Sequence, residues 1–391
     1  MEFEFWWLIA FPVFFGLGWL AARIDIKHLL TESRSVPRSY FRGLNFLLNE
    51  QPDKAIEAFI EVVKVDPETV DLHFALGNLF RRRGETERAI RMHRNLLERS
   101  DLAAEQRAQA MFELGHDYLK AGLLDRAEEV FAKLRDGPQR MEALKRLLEI
   151  YQQEKEWRQA IETARALEAD TGQSWQKEIA EFYCEIAAVE ATHSRPDAAR
   201  ALLDQALDAN RKCVRASILT GDLAAAAGRH HEAIEHWKRV ETQNPTFLAL
   251  AAHRLLKSFQ AIGDTATGLT LLRGYLSQYP SLDLMDVAFQ STLDAEGPEI
   301  AYRLVRDELR RNPTLLGLDK LLEAQLLSAP PERRHDLELV RNLVQGQTRR
   351  LARYRCENCG FRARQFYWQC PACMSWETYP PRRTEEFDLA P

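Results

Sequence analysis

Glycine and proline are scarce in this sequence, with 18 and 16 copies among 391 residues, so most of the chain can adopt regular structure and bury a core. Their scarcity excludes a collagen-like chain and argues against extended disorder. Cysteine is scarce as well, because six copies are too few to form a disulfide scaffold for a chain of this length. Neither charge sign dominates: 53 Lys and Arg oppose 58 Asp and Glu, and the formal net charge of -5 argues against a protein that coats nucleic acid.

The sequence also lacks the short motifs of common catalytic sites. It contains no GxxxxGKS/T phosphate-binding loop, no HExxH zinc-protease pair and no GxSxG nucleophile elbow. Cys184 and Cys213 stand apart from the other cysteines, and single cysteines in helices are more often small buried apolar residues than nucleophiles. We therefore expect a protein that is not an enzyme.

A charge-free run near the N-terminus predicts a membrane anchor. Phe5–Ala22 contains 18 residues without a charge, and a helix of this length spans about 27 Å, close to the hydrocarbon thickness of a bilayer. Arg23 and Lys27 follow the run, so the positive-inside rule places the C-terminal side in the cytoplasm. A cleaved signal peptide is the alternative, but the basic segment that precedes such a peptide is missing. We predict a transmembrane anchor over 1–22 and a juxtamembrane linker over 23–35.

A 34-residue spacing dominates the middle of the chain. Gly43 and Gly77, and likewise Ala55 and Ala89, are 34 residues apart, which is the period of tetratricopeptide helix pairs. Small residues at these positions let the two helices of a pair approach closely. We predict an all-α tetratricopeptide-repeat superhelix with capping helices over 36–347, whose concave surface binds a partner.

Surface positions of the first repeats are the candidates for partner binding. Phe74, Asn78, Phe112 and His116 fall between the packing positions, on the predicted inner face. They do not include the lysine and asparagine pairs of the tetratricopeptide domains that clamp a peptide carboxylate. The sequence of the groove therefore does not identify its ligand.

Four of the six cysteines form the strongest chemical signal. Cys356 and Cys359 are separated by two residues, as are Cys370 and Cys373, and ten residues lie between the pairs. Two such turns can present four thiolates to one tetrahedral ion, and both iron and zinc accept four thiolates. Disulfides are the alternative, but a cytoplasmic compartment keeps thiols reduced. We predict a four-cysteine metal site.

The metal site is predicted to lie in a small ribbon over 348–381, followed by a tail over 382–391. A four-thiolate site has no open coordination position, so it serves structure or, with iron, one-electron transfer. Five aromatic side chains are expected to cover a site too small to have a core of its own: Tyr354, Phe366, Tyr367, Trp368 and Trp376.

The C-terminal segment is basic while the remainder of the chain is acidic. Arg349 to Arg383 carries a net charge of +6, which leaves -11 for the rest. These arginines, interleaved with aromatic residues, could bind RNA or lipid phosphates. Docking of the ribbon on its own chain is favoured over both, because the connection between the two is short.

The order of these features resembles the lipopolysaccharide assembly protein B (LapB) family of Gram-negative bacteria. The resemblance covers the whole chain: a single N-terminal span, a repeat array and a terminal Cys-x-x-Cys-Gly…Cys-Pro-x-Cys ribbon. The stretches that carry it are GxNFLLNEQPDKAI from Gly43, LGNLFRRRGETERAIRMH from Leu76, AEFYCEIA from Ala180, RYRCENCGF from Arg353 and YWQCPAC from Tyr367.

The resemblance implies a non-enzymatic adaptor of the cell inner membrane, single-pass and cytoplasmic in bulk. Such an adaptor promotes degradation of the deacetylase LpxC by the membrane protease FtsH, limits lipid A synthesis and serves as a scaffold for other inner-membrane lipopolysaccharide proteins. The family's metal site is rubredoxin-like and holds iron, which the resemblance places at Cys356, Cys359, Cys370 and Cys373.

Two other functions stay open at this point. A rubredoxin-like iron site could transfer electrons, which needs an exposed, redox-active ion and a partner oxidoreductase. The basic ribbon could bind RNA on a repeat scaffold, although no nucleic-acid partner is expected from the overall charge.

Overall fold

The computed structural model describes residues 14–15, 17–19, 38–49, 51–65 and 70–385. The chain divides into two compact units, Met1–Ile150 and Tyr151–Pro391. Apart from a small sheet near the C-terminus, the described elements are helices, in the tetratricopeptide arrangement that the 34-residue spacing predicts. The prediction of an all-α repeat fold with a C-terminal four-cysteine ribbon is confirmed.

The described part of the first unit consists of helices joined by short turns. They are α1 (Arg38–Leu48), α2 (Pro52–Val65), α3 (Val70–Arg82), α4 (Thr86–Leu97), α5 (Ala104–Lys120), α6 (Leu124–Ala132) and the first part of α7 (Arg140–Glu154).

The second unit begins within α7 and also consists mainly of helices. Its helices are α8 (Trp157–Thr171), α9 (Gln176–Thr192), α10 (Pro196–Ala209), α11 (Val214–Ala226), α12 (His230–Gln243), α13 (Leu248–Ala261), α14 (Thr265–Gln278), α15 (Leu282–Glu296), α16 (Pro298–Arg311), α17 (Leu315–Ser328) and α18 (Pro331–Leu351).

The two helices of a pair meet where a glycine faces a ring from the next helix. A β-carbon on Gly115 would lie 2.6 Å from Cζ of Phe131, and one on Gly43 would lie 2.5 Å from Cε1 of Phe59. Real β-carbons do not approach so closely, so only glycine permits these contacts. The same arrangement recurs in two further pairs, Gly77 with His93 and Gly221 with Trp237.

The ribbon follows α18 and contains a three-stranded sheet. Its central strand β1 (Ala352–Arg355) pairs antiparallel with β2 (Arg362–Ala363) on one side and with β3 (Thr384–Glu385) on the other. A sheet this small cannot bury enough apolar surface to be stable alone. Its stability must come from the cysteine cluster and from contacts with the helices.

The predicted membrane location is wrong for the chain that the structure describes. Within the described ranges, no helix is both long enough and apolar enough to cross a bilayer. The longest of them, α18, has 21 residues but contains acidic and basic side chains along its length. This finding corrects the prediction of a single-pass inner-membrane protein with its bulk in the cytoplasm. Most of the predicted anchor, 1–22, lies outside the described residues.

Candidate metal centre

The structure brings the four predicted cysteines together. Their Sγ atoms all lie within 4.8 Å of one another. The Sγ of Cys356 is 3.8 Å from that of Cys373, and the Sγ of Cys359 is 3.7 Å from that of Cys370. A metal–sulfur bond of about 2.3 Å in a tetrahedral site separates two sulfurs by about 3.8 Å, so the cluster fits one tetrahedral ion. The chain therefore carries a four-cysteine metal-binding ribbon.

Each cysteine pair is held by a tight turn of the backbone. The amide of Gly360 donates to the carbonyl of Cys356, and the amide of Met374 donates to the carbonyl of Cys370. Gly360 and Met374 have φ angles of 76° and 58°, in the left-handed region. Glycine adopts this conformation without steric cost, whereas methionine rarely adopts it. Met374 thus takes, in the second turn, the conformation for which the first turn uses glycine.

The local environment acts on the thiols in opposite directions. The hydroxyl of Ser375 lowers the pKa of Cys373 to about 6, while burial raises the pKa of Cys370 to about 12. A bound cation favours thiolates at all four positions, so metal binding must release the protons that the buried thiols hold. We therefore expect the metal to bind more weakly as the pH is lowered, because protons compete with it for the thiolates.

The aromatic residues of the ribbon have two separate roles. Tyr354, Phe366 and Tyr367 pack around the cysteines, as predicted, together with Tyr379, which the sequence analysis did not single out. The hydroxyl of Tyr379 donates to the carbonyl of Tyr354 over 3.2 Å and fixes this small core. The two predicted tryptophans contact the helices, and Trp368 also packs edge-on against Phe366 of this core at a centroid distance of 5.1 Å.

Trp376 anchors the ribbon on the first helices of the second unit. Its ring lies edge-on to the rings of Trp157 and Phe182, with centroid distances of 6.1 and 6.0 Å. Its Nε1 donates to Oε1 of Gln152 over 3.2 Å, and the residue is only 7% exposed. Burial of the indole ring stabilises the contact, and the hydrogen bond of its N–H fixes the orientation of the ring.

Trp368 makes the second contact with the helices. Its ring stacks on Phe247 at a centroid distance of 5.6 Å and an angle of 10°. The guanidinium of Arg215 lies 5.6 Å from the centre of Trp368 and 6.0 Å from that of Trp376, so one cation of the array contacts both tryptophans.

Asp283 supplies the third contact. Its Oδ1 accepts a hydrogen bond from the hydroxyl of Tyr354 over 3.2 Å and pairs with the guanidinium of Arg383 at 2.7 Å. These bonds join the start and the end of the ribbon to α15.

The ribbon thus docks on its own chain, as predicted, but only in part through the charges that the sequence suggested. Arg383 pairs with Asp283 of the array, whereas Arg353, Arg355, Arg362 and Arg364 are exposed. The array also contributes Arg215, which contacts both tryptophans of the ribbon. We call the helix surface made by Gln152, Trp157, Phe182, Arg215, Phe247 and Asp283 the docking face.

The predicted partner-binding positions of the first unit differ in exposure. Phe74 is 6% exposed and belongs to the core, so its proposed surface role is wrong. Asn78, Phe112 and His116 are partly exposed, and the rings of Phe112 and His116 meet edge-on at 4.7 Å. Burial lowers the pKa of His116 below its ordinary value.

Sequence reasoning missed a buried ionic cluster beside these positions. Arg81 pairs with Glu113 at 2.6 Å and with Asp117 at 2.8 Å, and Asp117 also accepts from the ring of His93. The pairs join helices that are one repeat apart along the chain. The 34-residue period could have revealed this cluster. It places Arg81 beside the positions of Glu113 and Asp117 in the next repeat, because these residues are about one period further along the chain.

A second buried cluster was also missed. Cys184 and Cys213 are buried, as expected of small apolar residues, and their Sγ atoms are 3.8 Å apart. Beside them, Oε2 of Glu181 accepts from Arg215 over 3.1 Å, and Glu181 is 0% exposed. Burial raises the pKa of Glu181 to about 7.

Comparison with family models agrees with both parts of the structure. Residues 354–381 match a model described as a rubredoxin metal binding domain, and residues 42–92 and 185–246 match the tetratricopeptide repeat.

Two relatives cover nearly the whole chain. Lipopolysaccharide assembly protein B of Escherichia coli (strain K12) is 37% identical over 377 residues, which is 95% of this chain and 96% of that protein. Lipopolysaccharide assembly protein B of Haemophilus influenzae is 30% identical over 391 residues, which is 96% of this chain and 97% of that protein.

Similarity to solved structures is weaker. The crystal structure of MamA protein is 19% identical and covers 48% of this chain and 95% of its own, with a TM-score of 0.31. A tetratricopeptide repeat protein from Parabacteroides merdae is 15% identical and covers 74% of this chain and 100% of its own, with a TM-score of 0.26. Similarity at this level says nothing about function.

Proposed function

Because the chain belongs to the lipopolysaccharide assembly protein B family, we propose that it is a non-enzymatic adaptor that limits lipid A synthesis by promoting degradation of the deacetylase LpxC by the membrane protease FtsH. Family membership gives the role in lipopolysaccharide assembly, and the repeat fold gives a scaffold for binding proteins. The named protease and client rest on the family resemblance. The scaffold also holds other inner-membrane lipopolysaccharide proteins, as the resemblance implies.

The proposal assigns Cys356, Cys359, Cys370 and Cys373 as the ligands of one metal ion, iron by family resemblance or zinc. The supporting observation is that all four Sγ atoms lie within 4.8 Å of one another. Four thiolates fill a tetrahedral site, so a bound ion has no open position for substrate or water. Its role is to fold the ribbon and so present Trp368 and Trp376 to the helices.

The docked ribbon restricts where partners bind. Gln152, Phe182, Arg215 and Phe247 of the docking face already contact the ribbon and are not open to a partner. We therefore place partner binding on parts of the array outside the docking face, of which Asn78, Phe112 and His116 remain candidates.

A capture experiment tests the adaptor role. Tagged FtsH carrying an inactivated protease site is mixed with LpxC, with and without this chain, and the LpxC retained with FtsH is measured. We expect the chain to raise the retained LpxC several-fold, because an adaptor holds both proteins in one complex and raises their effective concentration.

The same capture without the chain is the control for direct binding of LpxC to FtsH. Equal amounts of retained LpxC in the two samples, with the chain itself retained, would show that it is no adaptor for this pair.

A further inference from the structure

A second group of metal-binding atoms lies where the ribbon meets the helices. One carboxylate oxygen each of Glu181 and Glu377 and the Sγ of Cys213 all lie within 4.8 Å of one another. In the part of the chain that the structure describes, this group and the four-cysteine cluster are the two places where three or more such ligand atoms converge so closely. Glu181 and Cys213 come from the array, while Glu377 comes from the ribbon.

The thiol of Cys184 lies beside this group but is not one of the three donors that converge within 4.8 Å. Its Sγ is 3.8 Å from the Sγ of Cys213. Oε1 of Glu181 lies 4.0 Å from the Sγ of Cys213, on the side that faces the thiols.

The charges around these atoms favour the binding of a cation. Arg215 pairs with Oε2 of Glu181 at 3.1 Å and with Glu185 at 2.8 Å, so it occupies one oxygen of Glu181 and leaves Oε1 to the thiols. The carboxylate of Glu377 acts on the same buried Glu181. The carboxylates of Glu181 and Glu185 thus share one guanidinium, and a buried excess of negative charge is costly unless a cation balances it.

We propose that Glu181, Cys213 and Glu377 form a second metal site that fastens the ribbon to the array. One thiolate and two carboxylates suit a borderline ion that binds both sulfur and oxygen, which is the chemistry of zinc. The site differs from the ribbon's own centre because its ligands come from two parts of the chain. A metal bound there makes docking of the ribbon depend on metal.

Zinc stoichiometry of the full chain tests the second site. The chain is loaded with zinc chloride under reducing conditions and then dialysed. The number of zinc ions per chain is measured by elemental mass spectrometry. We expect about two zinc ions for the parent and about one for Glu377→Gln and for Cys213→Ser, because the four-cysteine ribbon is intact in both variants.

Glu185→Gln is the matched control, because Glu185 pairs with Arg215 but is not a ligand, and it should keep two zinc ions. Amide exchange in the ribbon should slow when the second equivalent of zinc is added to the parent and not when it is added to Glu377→Gln. One zinc per parent chain overturns the second site whatever the variants do. Two zinc ions in both Glu377→Gln and Cys213→Ser overturn its ligand assignment.

Discussion

Replacing Cys356 and Cys359 together with serine is expected to release the ribbon's metal ion and to unfold the ribbon. In a module this small the metal-binding free energy, on the order of 10 kcal/mol or more for structural zinc, is also folding free energy. Trp368 and Trp376 then leave the docking face, while the helices of Met1–Ile150, which bury their own core, stay folded. Limited proteolysis read by mass spectrometry should show cleavage after α18 in the variant alone.

Ala372→Ser is the matched control for this pair of substitutions. It places one serine hydroxyl in the exposed part of the second cysteine turn without removing a ligand, so metal content and protease resistance should equal those of the parent. If the double variant binds metal in the parent's ratio and its ribbon resists protease, these cysteines are not ligands.

Trp376→Ala is expected to undock the ribbon without emptying its metal site. The substitution removes the contacts with Trp157 and Phe182 and the hydrogen bond to Gln152. Truncating a buried tryptophan costs about 3–5 kcal/mol, enough to expose a small docked module. Hydrogen exchange should rise by tenfold or more in the ribbon and in the docking-face helices, while the ribbon's four-cysteine site keeps its metal.

Gln365→Ala tests whether any change in the ribbon has this effect. Gln365 is exposed in the same module, so its removal should leave exchange at the parent's rate. Unchanged exchange in Trp376→Ala would show that aromatic contact does not hold the ribbon, and loss of the ribbon's metal would show that docking and metal binding are one event.

The repeat fold could be predicted because its packing is local. The contact between Gly115 and Phe131 joins residues 16 positions apart, and the same spacing joins Gly43 to Phe59. A contact that recurs at a fixed short spacing leaves a pattern of small and large residues in the sequence. The four cysteines could be predicted for the same reason, since two close pairs and a short gap determine which sulfurs meet.

Docking of the ribbon could not be predicted in the same way. Trp376 contacts Gln152 and Trp157, which lie more than 200 residues earlier, and no periodic pattern connects such distant positions. Net charge suggested that arginines of the C-terminal segment contact acidic helices, which holds for Arg383 with Asp283, but it did not indicate that an arginine of the array contacts the ribbon's tryptophans. Charge totals predict long-range attraction but not which side chains are buried in the contact.

One single-residue assignment failed for a related reason. Phe74 was placed on the inner face by its position between packing residues, yet it packs with Leu96, Leu102 and Ala110 in a core shared by neighbouring repeats. Cys184 and Cys213 are buried, as expected, but the sequence did not indicate that they contact each other. In both cases the neighbour that matters belongs to another repeat, which the pattern of a single helix does not reveal.

The central claim is that the chain acts by bringing a protease and its client together, with a metal that only holds structure. The rate of LpxC loss in the presence of active FtsH tests it most directly, measured without the chain, with its iron form and with its zinc form. Zinc cannot change valence, whereas iron can. We predict that both forms speed the loss of LpxC equally. Acceleration by neither form would contradict the adaptor role, and acceleration by the iron form alone, with the zinc form still folded, would establish electron transfer instead.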